Sequence, residues 1–255
     1  MKRLLVLIGL LFFGSLSAFG QDEGRAFGVE FSSTFWMLGA RGGIQAGGRS
    51  VDLGSDLGVV ERRMNDLMRV TLKFGETHRV VLEEASYQFQ GSQDVSVPFK
   101  FSGSDFSLQD TVYAKPTVRY FFAGYARDLF RGQYNLLSVE AGASYLRGTG
   151  FVQSLRTGIS ASRTITVPLP VVGLSYTRYL SGAAERFEVS GDLSGMSVGD
   201  AGHYARGSVK LGARIWSHVV ISGGYGFLNL NVKKDQDRVD VRFRGPLFSL
   251  EFRDR

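Results

Sequence analysis

The residues best suited to acid–base or nucleophilic chemistry in this sequence are its three histidines and the serines beside one of them. None of His78, His203 and His218 lies in a spacing that binds a metal, such as HExxH. Ser217 is adjacent to His218, and acyl transfer requires a serine whose proton a positioned histidine accepts. Neighbouring residues of a β-strand point to opposite faces, so this pair would not meet readily.

Acidic residues form a second set of chemical interest. Paired carboxylates can activate water, and six acids fall on strand-like segments: Glu30, Glu83, Glu84, Glu140, Glu188 and Asp192. Bases are as frequent on the same faces, so we favour ion pairs. Asp52 and Asp56 could contact a cation, but two carboxylates without further oxygen ligands favour a turn. We therefore predict no catalytic residue, no metal and no cofactor.

Composition restricts the class of protein. The chain has 255 residues, with 33 Gly, 5 Pro, no Cys and 13% aromatic residues. Without cysteine there is no disulfide framework, thiolate metal site or cysteine nucleophile. Abundant glycine and aromatic residues favour a β-rich protein with many turns.

The N-terminus has the pattern of an export signal. Lys2 and Arg3 precede the apolar run Leu4–Phe13, and small residues follow up to Gly20. This pattern predicts a signal peptide over 1–20 and one domain over 21–255. A membrane anchor is the alternative, but a spanning helix needs about 20 apolar residues. Removal of the peptide lowers the net charge from +6 to +4, which does not favour a nucleic-acid partner.

The remaining chain alternates between apolar and polar residues. Val209, Leu211 and Ala213, for example, alternate with Lys210 and Arg214, as in a strand with one apolar face. We predict ten strands, or eight if one early pair is misjudged, with a short helix within 56–66 as an open alternative. The ten strands cover about 27–47, 66–75, 77–90, 107–127, 133–148, 165–180, 185–196, 203–216, 218–233 and 237–253.

Two of these strands change phase. The apolar residues Val80 and Leu82 occupy even-numbered positions, whereas Ala85, Tyr87 and Phe89 occupy odd-numbered ones and would point to the other face of the strand. An extra residue near Glu83 and Glu84 would restore the alternation, so we predict a β-bulge there. A similar change across Gly245–Pro246 predicts a second bulge or kink.

Alternation alone does not decide whether the apolar face points inward or outward. Short connections alternate with long ones near 48–65, 91–106 and 149–164, which is typical of a barrel in the outer membrane. The charged face would then line the lumen, where opposite charges can pair. The predicted ion-pair network comprises Glu30, Arg69, Lys73, Glu83, Glu84, Arg119, Glu140, Arg186, Glu188, Asp192, Arg206, Lys210, Arg214 and Arg242.

The end of the chain carries a further signal. Phe248, Leu250 and Phe252 are alternate apolar residues of the final strand. With the signal peptide and the alternating strands, this pattern resembles the small bacterial outer-membrane β-barrels of the OmpA-like and OmpX-like group. The resemblance implies a closed antiparallel transmembrane barrel with both termini in the periplasm. It also implies that the barrel assembly machinery binds the terminal strand at these three residues. Because the 253–255 tail is charged, we expect it in the periplasmic headgroup region or in water; the alternative is that it belongs to the last strand and points inward.

These observations predict a location more sharply than an activity. We expect an integral outer-membrane barrel with a side-chain-filled lumen and a structural or surface-interaction role. A small passive channel and a lipid- or peptide-modifying enzyme are the alternatives. The expected partners are outer-membrane lipids, the assembly machinery and an unknown extracellular ligand, and we expect a monomer.

Overall fold

The computed structural model describes residues 27–46, 49–59, 62–95, 99–107, 110–180, 186–197, 202–234 and 237–253. The predicted signal peptide lies outside these residues. No helix in the described ranges is long and apolar enough to cross a membrane. The strands are β1 (Phe27–Ala46), β2 (Arg49–Asp52), β3 (Arg63–Phe74), β4 (His78–Gln88), β5 (Gly91–Asp94), β6 (Phe99–Phe101), β7 (Ser104–Phe106), β8 (Thr111–Ala114), β9 (Thr117–Arg131), β10 (Asn135–Ser154), β11 (Ser160–Tyr179), β12 (Phe187–Ser197), β13 (Gly202–Trp216), β14 (Val219–Lys234) and β15 (Asp237–Arg253).

Ten of these strands form a closed ring. β1, β3, β4 and β9 to β15 pair in that order, each antiparallel to the next, and β15 pairs with β1. The closing register runs from Glu30 opposite Arg253 to Gln45 opposite Arg238. This confirms the predicted all-β closed barrel of ten strands and the pairing of the last strand with the first.

The two ends of the barrel differ. Tight turns connect β3 to β4 and β13 to β14 at the end where the first strand begins and the last one ends. At the other end the β4–β9 connection folds into β5 to β8, with β6 and β7 as a separate hairpin. The predicted long loop over 149–164 is wrong, because β10 and β11 stay paired up to Gln153 opposite Ser160. Turn residues 53–57 replace the possible helix.

The two predicted bulges are also wrong. The β3–β4 register is continuous from Asp66–Ser86 to Phe74–His78, and the β14–β15 register is continuous through Pro246. In β4, Val81, Glu83 and Tyr87 are all buried inside the barrel, whereas Leu82 and Glu84 are exposed outside. The strand is therefore regular, and the chemistry of its two faces changes along its length.

This change divides the barrel into two regions. We term the part from the tight turns up to Met37 of β1 and Pro246 of β15 the membrane half. The remainder, with β2 and β5 to β8, is the head. β1, β10 and β11 have 20 residues each, about twice the 9–11 that cross a bilayer. The barrel wall therefore extends well beyond the membrane.

The two regions face their surroundings in opposite ways. In the membrane half most outward side chains are apolar, and Leu211 is 68% and Val209 62% exposed. In the head the apolar side chains point inward. They form a buried core that includes Leu38, Leu53, Tyr87, Phe89, Phe106, Val112, Leu146, Leu228, Val241 and Phe243.

Candidate functional site: the lumen and the outer surface of the head

An ion pair crosses the lumen at the middle of the barrel. Glu83 is on β4 and Arg206 is on β13, which lie five strands apart in either direction around the ring. Both residues are buried, with 2% and 7% of their surface exposed. Both terminal guanidinium nitrogens donate to the carboxylate, one of them at 3.1 Å. The lumen is thus narrow enough for one pair of side chains to span it.

Arg69 extends this pair to a third side of the lumen. Its Nη1 donates to Glu83 Oε2 at 3.4 Å, and its Nη2 donates to Glu140 on β10. Glu83 therefore accepts hydrogen bonds from two arginines, so its charge is compensated despite its burial. An unpaired carboxylate at this depth would be unfavourable.

A second cluster lies near the periplasmic end. Arg253 donates to both oxygens of Glu188 at 2.7 Å and to Glu251 at 2.6 Å. Lys210 donates to the other oxygen of Glu251 at 3.0 Å. The prediction that the tail from 253 lies in water is therefore wrong for Arg253, because odd-numbered residues of β15 point inward. Residues 254 and 255 lie outside the described ranges.

The structure places most of the predicted network inside the barrel. Glu30 pairs with Lys73 at 2.6 Å, and Asp192 accepts a hydrogen bond from Ser208. Arg214 is half-buried near the β13–β14 turn. Four predicted members are instead exposed: Glu84, Arg119, Arg186 and Arg242.

The positions of these four residues in the strands and turns explain why they are exposed. Glu84, Arg119 and Arg242 occupy outward positions, and Arg186 lies in the turn before β12. The sequence analysis missed Glu251 and Arg253. The signal was their alternation with Phe248, Leu250 and Phe252, which places them on the opposite, inward face.

Aromatic rings form a layer on the head side of the mid-barrel pair. Trp36 packs edge-on against Tyr87 with ring centroids 6.2 Å apart, and Phe243 lies 6.2 Å from Tyr87. On other strands Tyr120 and Tyr204 stack at 6.0 Å. The Arg206 guanidinium lies 5.5 Å from the Tyr120 ring centroid, within cation–π range. The ion pair and the aromatic layer are therefore in direct contact.

A polar cavity of about 190 Å³ lies in the membrane half of the lumen. Hydroxyl groups and charged side chains line most of it, among them Thr34, Thr71, Ser175, Thr177 and Ser190, and Trp36 and Leu247 contribute apolar surface. A polar cavity of this size can hold ordered water.

The histidines and the serine considered first in the sequence do not form a common site. The His78 ring contacts the Tyr125 hydroxyl near the periplasmic end. Ser217 and His218 form the β13–β14 turn, where His218 Nδ1 lies 3.1 Å from the Arg253 carbonyl oxygen. Within the described ranges no three His, Asp or Glu residues are grouped so that they could hold a metal.

Asp52 and Asp56 form a turn, as predicted. One Asp52 oxygen accepts hydrogen bonds from the backbone N–H groups of Gly54 and Ser55 at 2.8 and 2.9 Å. An Asp56 oxygen accepts from the backbone N–H of Asp52 at 2.8 Å. Both carboxylates therefore satisfy local backbone donors.

A row of polar residues on the outer surface of the head was missed. Ser197 on β12 is the register partner of His203 on β13, which is opposite Asn231 on β14. Asn231 is opposite Asp240 on β15 and donates to its carboxylate at 3.2 Å. Ser197 is the centre of a Gly-Met-Ser-Val-Gly pentapeptide beginning at Gly195, and this GxSxG pattern was the available signal.

Comparisons with known proteins support the fold. No family model and no curated protein matches the chain. The outer membrane protease OmpT from Escherichia coli has a TM-score of 0.59 at 9% identity, over 92% of this chain and 99% of that one. Ail of Yersinia pestis has a TM-score of 0.37 at 14% identity, over 88% and 99%. Neisserial surface protein A has a TM-score of 0.32 at 9% identity, over 91% and 100%.

Of these three, the OmpT structure alone has a TM-score above 0.5, and at 9% identity it shows a shared fold and nothing further. The closed ring leaves no unpaired edge in lipid, and the membrane half presents an outward apolar belt. The protein is therefore an integral β-barrel of the outer membrane, which confirms the fold and the location inferred from the sequence.

Proposed function

We propose that this protein is a non-conducting barrel that holds its head at the cell surface for a structural or surface-interaction role. The observation that carries the proposal is the Glu83–Arg206 pair, which joins opposite strands of the ring. A water-filled pore of useful width would keep such strands too far apart for direct contact. Barrels of about this size are filled by their own side chains, whereas porins need 16–18 strands.

The aromatic layer supports the same proposal independently. Trp36, Tyr87 and Phe243 are each no more than 3% exposed, and Tyr120 packs against Tyr204 across the lumen. Apolar packing of this kind excludes hydrated ions. A small ion would have to disrupt both the ion pairs and the aromatic layer to cross.

Planar-bilayer recording of the refolded protein tests the proposal. We expect no stable current steps from the wild type or from the exposed-surface control Arg147→Ala. The double variant E83A/R206A removes the mid-barrel pair and should also stay closed, since the aromatic layer remains. Reproducible open steps from the wild-type protein would contradict the proposal and favour the channel alternative.

The polar row on the head favours a second candidate, a surface hydrolase. Ser197 and His203 are both exposed and lie opposite each other in register, so a histidine is placed near a possible serine nucleophile. Side chains directly opposite on neighbouring antiparallel strands have Cβ atoms about 5 Å apart. The Ser197 Oγ would attack an acyl carbonyl while His203 accepts its proton and passes it to the leaving group.

Active-site labelling tests this candidate separately. A fluorophosphonate probe should label the wild type covalently and leave S197A unlabelled, with S222A as a serine control from a buried position. Labelling should also fall in H203N, because the serine would lose its base. No labelling of the wild type would reject the hydrolase and leave the proposal of a non-conducting barrel unaffected.

A further inference from the structure

Five exposed arginines lie on the outer surface of the head, next to the apolar belt. We term them the basic patch: Arg41, Arg62, Arg238, Arg242 and Arg244. Arg41 on β1 is directly opposite Arg242 on β15. Like charges in such positions repel each other, so the patch is unfavourable for folding unless something compensates it.

Among the described residues, two aspartates border the basic patch, and they compensate little of its charge. Asp240 is 3.9 Å from Arg242 Nε, at the limit of an ion pair, and also accepts a hydrogen bond from Asn231. Asp52 borders the patch, and the backbone N–H groups of Gly54 and Ser55 in its own turn donate to its Oδ1. Counted over the described side chains, five arginines face two aspartates, which leaves a surplus of positive charge for an external anion.

The shape of the surface makes room for that anion. Outward positions Gly39 and Gly43 of β1 carry no side chains, and the arginines surround a depression of about 930 Å³. The Arg62 side chain lies above Gly39, 3.5 Å from where a Cβ would stand. A larger residue at Gly39 would meet this side chain and begin to fill the depression.

The spacing of the arginines indicates the ligand. Guanidinium groups bind phosphate through paired hydrogen bonds. Arg238 and Arg244 are six residues apart on β15, about 20 Å along a strand, which exceeds one phosphate. The depression also includes Tyr225, which is opposite Pro246 at the upper limit of the membrane half.

A ligand here can thus have its apolar part in the bilayer and its charges on the patch. We propose that the basic patch binds the headgroup of an outer-leaflet lipid that carries two or more phosphates. This inference does not depend on whether the lumen is closed.

Binding of lipid A, a glycolipid with two phosphates, tests the proposal in phosphatidylcholine nanodiscs. The test variant is R242Q/R244Q. The matched control is R119Q/R147Q, which removes two exposed arginines elsewhere on the barrel, register partners on β9 and β10. We expect the test variant to weaken lipid A binding roughly 30-fold, because each arginine near a charged lipid surface contributes about fivefold. The control should change binding less than about threefold.

Three outcomes would overturn the proposal. Equal losses in the two variants would indicate unspecific attraction, and no loss in the test variant would remove the patch from lipid binding. Binding of soluble inositol hexakisphosphate is measured as a third comparison, because it carries phosphates without a lipid. If it bound the patch as tightly as lipid A, with the same loss in R242Q/R244Q, the ligand would be a soluble polyphosphate rather than a lipid. Weak binding of this soluble probe beside tight lipid A binding supports the lipid source.

Discussion

The membrane half and the head are built from the same strands, yet they place apolar side chains on opposite faces. In β15, Phe248 points outward into lipid, whereas Phe243, five residues away, is buried inside the head. The hydrogen-bonded register does not change between them. The comparison shows that the surroundings of the barrel, and not a break in the strand, decide which parity is apolar.

The two regions also hold their interiors together by different means. The lumen of the membrane half contains charged clusters such as Glu83 with Arg206. The interior of the head is an apolar core, in which Phe89 and Phe243 stack at 5.0 Å. Variants can separate these two kinds of stabilisation, and the predictions below run from the largest expected effect to the smallest.

The largest effect is expected in the lumen of the membrane half. Arg206→Ala should lower the free energy of unfolding by about 3–5 kcal/mol, because it leaves Glu83 buried with less compensation. Urea unfolding in detergent micelles, followed by tryptophan fluorescence, measures this. The double variant E83Q/R206M should cost markedly less, since neither charge remains. A single and a double variant of equal stability would contradict the importance of the unpaired charge.

A comparable effect is expected in the core of the head. Phe243→Ala should destabilise the protein by about 3–5 kcal/mol, because a buried aromatic residue leaves a cavity. Phe248→Ala on the same strand is the matched comparison, and its cost should be smaller because lipid can fill the space. The same unfolding assay measures both. Equal costs would argue against the inversion of the two faces.

The next largest loss of stability is expected when a charge is introduced on the outer surface of the barrel. Leu211→Arg should cost about 2–4 kcal/mol if residue 211 lies near the middle of the bilayer. Thr164→Arg, at an exposed position of the head, should change stability by less than about 0.5 kcal/mol. Refolding into lipid vesicles with urea titration measures the two variants. A similar cost for both would mean that the head is also embedded in lipid.

The smallest effect is expected from a deletion of only three residues at the chain end. Removal of residues 253–255 deletes the Arg253 hydrogen bonds to Glu188 and Glu251, and it should cost about 1.5–3 kcal/mol. Removal of 246–255 deletes half of the closing pairs with β1, all of them in the membrane half, and should prevent assembly. Heat-modifiable gel mobility distinguishes these results. A folded band after the longer deletion would show that β15 is not needed for closure.

Much of the fold could be predicted from sequence, because a strand with one lipid-exposed face must alternate. Val209 and Leu211 against Lys210 indicated such a strand directly, and the terminal Phe248 to Phe252 series indicated how the barrel closes. The prediction was wrong where the strands leave the membrane. There the inward face of each strand becomes apolar, as at Tyr87, Phe89 and Phe243. The apolar residues therefore change from one face to the other along a regular strand, and the sequence pattern resembles that of a bulge.

The candidate sites were less predictable than the fold. Glu83 and Arg206 were both assigned to the lumen from parity, but their direct pairing was not apparent, since 123 positions separate them in the chain. The basic patch was hidden for a similar reason. Arg41 and Arg242 become neighbours only through the closure of the first strand on the last.

The sequence by itself determined that this is a protein of alternating strands, because alternation reports the local difference between the two faces of a strand. The connection lengths and the resemblance carried by the terminal strand added the expectation of an outer-membrane barrel. Only the tertiary structure decided where each strand leaves the lipid, which charges meet across the lumen and which arginines gather outside. These properties depend on register and ring closure, which bring together residues that no local pattern relates. Glu83 and Arg206 pair because the ring of ten strands places β4 opposite β13.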